Sequence, residues 1–227
     1  MLVILYGLQM SASSFLTQLL VETLKQGGHP QSWDGLPVNA NGHVPNLASR
    51  NMTTLLQASE KRWVAVKTNG GVSEAAVKAL ASDKAKLITI TRDALDCVLA
   101  GYEAGRAARR AGQTHNAWHD KFTIDQVIEH FGKLREARDG WLATPGLHIE
   151  FEDIRTSPRA VVARVAKHLN LRVDPDQIVA PWETGERNRH NFNVGESGRG
   201  HQFLTNCQIR RCAELGLTRL PAAVLAH

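Results

Sequence analysis

Short, nearly continuous apolar runs alternate along the chain with longer stretches in which apolar side chains recur at helical spacing. Residues 2–6, 63–67, 87–91 and 147–151 are of the first kind and are rich in Leu, Ile and Val. Runs without polar alternation predict strands buried on both faces. The stretches between them carry helix signals: Thr123 with Gln126 has the pattern of a capping box, and Ser157 followed by Pro158 that of an N-cap and first helical residue. Val161, Val165 and Leu169 then fall on one helical face. Strands joined by helical crossovers predict an α/β fold, a three-layer sandwich with a central parallel sheet. A length of 227 residues suits a single domain, 1–227.

Two stretches break the periodicity. Residues 27–47 contain His29, Pro30, Gly35, Pro37, Gly42 and Pro45, and roughly 173–202 holds several Gly, Arg and Asn residues. In α/β proteins such segments lie over the carboxyl ends of strands, where ligands bind. They are the expected substrate loop and closing flap.

Charge narrows the ligand. Lys and Arg outnumber Asp and Glu by 27 to 22, a net charge of +5 that favours an anion without the density of a nucleic-acid binder. A phosphorylated small molecule is expected, and no nucleic acid polymer. Cys97, Cys207 and Cys212 are too few and too unevenly spaced for a disulfide framework, and no Cys/His cluster has zinc spacing. Reduced thiols, a cytoplasmic location and no metal are the corresponding expectations. The opening MLVILYGLQM lacks the basic start and long apolar stretch of a signal peptide, and no segment reaches the roughly 18 apolar residues of a membrane span.

The segment from Leu5 to Leu16 reads as a buried strand, a turn of small residues and the start of an apolar helix. That is the layout of a phosphate-binding loop, where backbone N–H groups and a helix N-terminus face an anion. Against the pattern G-x-x-x-x-G-K-S/T, Gly7 matches, Ala12 stands for the second Gly, Ser13 for the Lys and Ser14 for the hydroxyl residue. The missing Lys, and the lack of a convincing Mg²⁺-binding carboxylate after a strand, argue against a P-loop kinase acting on a small molecule. A Ser-rich helix N-terminus that caps itself is the plain structural alternative.

Gln9-Met10-Ser11-Ala12-Ser13-Ser14-Phe15 resembles the loop of the sulfotransferases that use 3′-phosphoadenosine 5′-phosphosulfate (PAPS), in which Pro and a basic residue precede Ser-Gly-Thr-Thr and a large apolar residue. The resemblance extends to the segment from Thr91 to Tyr102, similar to the family's R-N/D-P-x-D-x-x-x-S-x-Y, and to Phe151-Glu152-Asp153-Ile154 with the Ser157-Pro158 helix after it. Near the end, Gly195-Glu196-Ser197-Gly198-Arg199 resembles the family's G-x-x-G flap. Together these pieces run from residue 2 to about 215, and their order carries more than any one of them. The family's fold, a P-loop-like sandwich, agrees with the strand pattern.

The resemblance implies a co-substrate, PAPS, and sulfuryl transfer to a hydroxyl or amine of a small-molecule or glycan acceptor, with no metal. Gln9, Met10, Ser11, Ala12, Ser13 and Ser14 would bind the nucleotide, with Ser11 to Ser14 cradling the 5′-phosphate. Arg92 would grip the 3′-phosphate bidentately, steadied by Asp96, with Ala100, Gly195, Gly198 and Arg199 completing the site. An Arg–Asp pair at a helix start, with Asp complementing the dipole, is the alternative for Arg92 and Asp96. Lys67, in Lys67-Thr68-Asn69, would neutralise charge on the transferred group.

The chain also departs from the family. Met10 replaces the loop cation, Asn69 the His that often serves as base, and Ala100 a Ser that would bond the 3′-phosphate, while Asn193 and Val194 lack the basic residues that often precede the flap glycine. An amide is no base near neutral pH. Glu74, His43, His115 and His119 lie in segments that could supply one, or are ordinary loop and surface residues. Arg187, Arg189 and Arg199 could restore lost phosphate contacts, or belong to a solvated loop. A nucleotide-binding protein of the same fold that has lost its chemistry is therefore the second expectation. Residues 27–47 and 112–122 would hold the acceptor, with Trp33 and Trp118 either walling it or packing the protein. Arg106, Arg109 and Arg110 either attract an anionic acceptor or form a solvated face. Oligomeric state stays open.

Overall fold

The four apolar runs form parallel strands in the computed structural model, which describes residues 1–114, 118–184 and 195–218. They are β1 (Leu2–Gly7), β2 (Val64–Thr68), β3 (Ala85–Thr91) and β4 (Leu147–Glu150), paired in the order β2-β1-β3-β4. In the central register Leu5 lies opposite Lys67 on one side and Ile88 on the other. β4 stops one residue short of the expected Phe151, which instead opens α7 (Phe151–Thr156). Glu150 and Asp153 explain the stop, because they form a reciprocal capping box there.

Successive side chains of a strand point to opposite faces, so an unbroken apolar run feeds two cores. Val3, Leu5, Ile88, Ile90 and Ile149 pack with α1 (Ser13–Gln26), α8 (Pro158–Leu169) and α9 (Pro175–Glu183). Leu2, Ile4, Tyr6, Val64, Val66 and Leu87 pack with α2 (Ser49–Lys61), α3 (Glu74–Ala81) and Trp141 of α6 (Arg135–Leu142). Helices thus cover both faces of the sheet. Tyr6 and Trp141 stack with their centroids 5.7 Å apart, and the Trp141 indole donates to the Gly70 carbonyl at 2.8 Å.

Pro158 occupies the first turn of α8 as expected, although the Ser157 side chain makes no cap bond. Val161, Val165 and Leu169 are buried in the first core. Part of the expected flap is ordered differently: residues 175–183 form α9, with the Asp174 side chain accepting from Asp176 N and Ile178, Val179 and Trp182 buried. A cap followed by Pro at the first turn is a strong start signal, and it was hidden by the glycines and arginines downstream.

The described residues divide into two compact units. The first draws on Met1–Leu8, Ala12–Thr91 and residues 137–184, and holds the whole sheet; the second draws on Gln9–Ser11, the described part of Arg92–Glu136, and residues 195–218. The second is helical, built from α4 (Ala94–Arg110), α5 (Ile124–Lys133), α10 (Arg199–Phe203) and α11 (Asn206–Glu214). Thr123 and Gln126 form the expected capping box on α5. Trp118 is buried and stacks on Phe131 at 5.5 Å, so in this unit it is a packing residue. Gly105 makes room for it, since a Cβ there would lie 2.4 Å from the Trp118 carbonyl oxygen. Among the described residues no helix is long and apolar enough to cross a membrane.

Candidate functional site

A strand order of 2-1-3-4 reverses direction at the β1/β3 pair, and crevices at such switch points face the carboxyl ends of the strands. The chain leaves β1 at Gly7 and enters a loop in which Met10 and Ala12 both take left-handed backbone, with φ of 65° and 68°. Ala12 is the N-cap of α1, so the position where a phosphate loop has its second glycine keeps the glycine conformation without the glycine. Such backbone costs a non-glycine residue roughly 1–2 kcal/mol, and something must repay it.

Ala12 brings no side chain that could cap α1, and the first turn of the helix carries no acidic residue. With no carboxylate there, the amide end of α1 keeps the polarity that attracts an anion. From β2 the Lys67 ammonium donates to the Ser14 hydroxyl at 2.9 Å. Burial pulls the Lys67 pKa below the ordinary lysine value, as expected of an ammonium held out of bulk water. Ser13 is buried and its carbonyl accepts from the Thr17 hydroxyl at 2.7 Å, which fixes the first turn behind the loop.

The irregular stretch 27–47 lies along the free edge of β2. Gln31 accepts from Ala65 N and Trp33 donates to Ala65 O, both at 2.8 Å. Two residues on, Lys67 N donates to the Gly42 carbonyl at 2.9 Å and Lys67 O accepts from Val44 N at 2.8 Å. His43 is thereby registered against Lys67 as an isolated parallel bridge. Gly42, at φ 68°, also passes the Trp33 ring, which a Cβ would meet at 2.5 Å. Trp33 is thus an edge-packing residue. Gly70 makes a similar close approach to Pro45, whose carbonyl oxygen a Cβ would meet at 2.4 Å.

Burial, and then the Lys67 charge, hold the His43 pKa below the ordinary histidine value, against a smaller opposing effect of Asn69. The Asn69 amide in turn donates to the Gly7 carbonyl at the end of β1. Glu74, another candidate base, is exposed at the start of α3 and paired with Lys78 at 2.6 Å. His115 lies outside the described residues, as do Arg187, Arg189, Asn193 and Val194. His119 gives its carbonyl to Arg109, which also bonds the Lys121 carbonyl, so Arg109 holds a loop rather than a solvated face.

The second unit has its own polar centre. Arg92 is nearly buried, with Nη1 donating to the Met10 carbonyl at 3.2 Å and Nη2 to the Glu196 carbonyl at 2.9 Å. Asp96 is fully buried on α4, and its two carboxylate oxygens accept from Gly198 N at 2.9 Å and Gly200 N at 2.7 Å. Its nearest approach to the Arg92 guanidinium is 3.9 Å. Sequence reasoning made Asp96 the steadying partner of Arg92; its shorter bonds go to the flap. The helix-start role falls to Asp93, which caps α4 by accepting from Leu95 N and Asp96 N.

The flap begins with Gly195 and Gly198, both at positive φ, and Gly198 is the N-cap of α10. Arg199 forms a two-pronged pair with Glu103 at 2.6 and 3.0 Å, which raises its pKa. Ala100 is buried within α4. Gln9 is held by His130, whose Nε2 lies 2.9 Å from the Gln9 amide oxygen and must therefore carry the proton. Gly200 escaped the sequence reading because no motif marks it, yet a Cβ there would meet the Leu95 carbonyl carbon at 2.3 Å. Among the described residues no group of three or more His, Cys, Asp and Glu could hold a metal ion.

A model of the sulfotransferase family matches residues 39–175, more than half of the chain. Among solved structures, mouse sulfotransferase SULT7A1 complexed with PAP is similar at a TM-score of 0.59 and 14% identity, over 99% of this chain and 87% of that one. Retinol dehydratase in complex with androsterone and inactive cofactor PAP is similar at 0.57 and 15%, over 97% of this chain and 82% of that one. Likenesses at this identity establish the fold. No curated protein sequence matches the chain.

Proposed function

The chain belongs to the sulfotransferase family, and on that premise we propose that it transfers a sulfuryl group from PAPS to a hydroxyl or amine of a small-molecule acceptor. The observation that carries the reading is the start of α1, where left-handed Ala12, a first turn without an acidic residue and the Lys67–Ser14 bond suit a phosphate group without a phosphate-loop Lys. These groups suit the 5′-phosphosulfate: backbone amides and hydroxyls take the oxygens, and the Lys67 ammonium offsets charge that gathers as the group leaves. In the second unit Arg92 is the residue for the 3′-phosphate, and the glycine flap its cover. PAP in the two similar structures is consistent with a 3′,5′-bisphosphate product here, and androsterone in one of them with a small-molecule acceptor.

A specific observation favours a second reading, a binder without turnover. Both Nη atoms of Arg92 are bonded to carbonyls of the protein itself, and Met10 brings no cation to the loop. The experiment that tests the first reading is calorimetric titration with adenosine 3′,5′-bisphosphate, alongside ATP with Mg²⁺ and an Arg92→Ala variant. Micromolar binding of the bisphosphate that weakens about 10- to 100-fold in the variant is the expected result, the range a charge-assisted phosphate contact commands. No binding by a folded protein overturns the reading. Preference for ATP with Mg²⁺ would move the chain to nucleoside triphosphate chemistry.

A further inference from the structure

We propose that His130 is a positioning residue for the nucleotide: from α5 it holds the tip of the loop that follows β1, through the side chain of Gln9. The proposal rests on the PAPS reading above, which makes that loop a phosphate-binding one. Gln9, Met10 and Ser11 belong to the second unit, whereas Ala12 and α1 belong to the first. Within the second unit two bonds hold the tip. His130 Nε2 donates to Gln9 Oε1 at 2.9 Å, and Arg92 Nη1 donates to the Met10 carbonyl at 3.2 Å.

What needs holding is Met10. Its φ of 65° is uncommon for any residue but glycine, and its side chain has no oxygen or nitrogen with which to stabilise the turn locally, as Asn or Asp would. The two bonds lie on either side of that torsion, one at the residue before it and one at the carbonyl after it. Releasing either lets the turn relax toward negative φ and re-aims the peptide groups on both sides of Met10. In a phosphate-binding loop the backbone N–H groups do the gripping, so the shape of the turn is the shape of the site.

His130 is itself well fixed. Its neighbours on α5, Val127, Ile128 and Phe131, are buried, and the Trp118 ring meets the imidazole edge to face at 5.1 Å. Trp118 in turn sits against α4 where Gly101 and Gly105 bring no side chain; a Cβ at Gly101 would meet its ring at 2.9 Å. Burial first, then the Lys121 charge, hold the His130 pKa below the ordinary histidine value, with Asp120 opposing and Lys133 adding a little. The ring is therefore neutral at neutral pH, and its single N–H is the one committed to Gln9.

The test is calorimetric titration of the full chain with adenosine 3′,5′-bisphosphate, with urea unfolding of each variant. His130→Phe keeps a ring against Trp118 and removes the donor; Gln9→Met keeps the side-chain length and removes the acceptor. Each should weaken the bisphosphate about 3- to 10-fold, the range of a neutral hydrogen bond. The double variant should bind no more weakly than the weaker single one, because both changes remove the same bond. His130→Gln, which can still donate, should recover affinity to within about two-fold of wild type. In the chain without nucleotide, Gln9→Met should also move the nitrogen NMR resonance of His130 Nε2. Wild-type affinity in Gln9→Met, losses that multiply in the double variant, or a resonance that ignores Gln9→Met each overturn the proposal while bisphosphate binding keeps the PAPS reading. A urea midpoint lowered in His130→Phe with affinity unchanged makes His130 a packing residue and overturns it too. If His130→Phe does not fold, Gln9→Met and the resonance decide alone. A folded wild-type chain that does not bind the bisphosphate removes the PAPS reading, and the role of His130 with it.

Discussion

At the start of α1 the N-cap Ala12 brings no capping side chain, the first turn holds no acidic residue, and the Lys67 ammonium donates to the Ser14 hydroxyl. Around Asp96 the opposite holds, for carboxylate, flap amides, guanidinium and loop carbonyls are bonded among themselves. On the proposed reading the first arrangement keeps its polarity for an anion. The second already has protein partners, so a ligand there gains only the difference between its bonds and those it displaces. On the proposed reading, affinity should accordingly be set at the α1 end.

The comparison can be broken most severely at Asp96. Asp96→Ala removes a buried acceptor of two amides and should cost about 3–5 kcal/mol in denaturant unfolding, as breaking a buried charged network does. Gly200→Ala, which drives a Cβ into the backbone of Leu95, should cost about 2–3 kcal/mol in the same assay. Neither change touches the α1 end, so a loss of stability equal to wild-type scatter in both would abolish the contrast.

Lys67→Met sharpens it from the other side. Burial lowers the Lys67 pKa in the folded chain, so between that value and the unfolded value of about 10.5 the unfolded state binds more protons. Wild-type stability should thus rise with pH through that window, and the rise should vanish in Lys67→Met while sulfuryl transfer is lost. Urea midpoints from pH 7 upward check the sign. The smallest effect belongs to Ala12→Gly, which releases left-handed strain and should add about 1 kcal/mol of stability.

The sheet was legible because strands buried on both faces leave a continuous apolar signature, and caps such as Thr123–Gln126 announce themselves. The turn between β1 and α1 was legible from the spacing of Gly7, Ala12 and Ser14, and the structure adds that Ala12 supplies glycine-like backbone. What stayed hidden depends on partners far apart in the chain. Nothing local to Asp96 says that its carboxylate binds amides more than 100 residues away. Likewise His43 and Lys67 look unrelated until the register of residues 42–44 sets them side by side. Residues 175–183 show the reverse error, a helix concealed by an irregular neighbourhood.

The strap along β2 has a consequence for how the protein behaves in a crowded solution. β2 is an outer strand, and an outer strand offers a row of amides and carbonyls to any passing chain. Here Gln31 and Trp33 occupy both groups of Ala65, and Gly42 and Val44 both groups of Lys67, so the row is already taken by the molecule itself. The segment expected to meet an acceptor therefore also guards the sheet against self-templating, and remodelling it for a new acceptor carries a risk of aggregation as well as of lost activity.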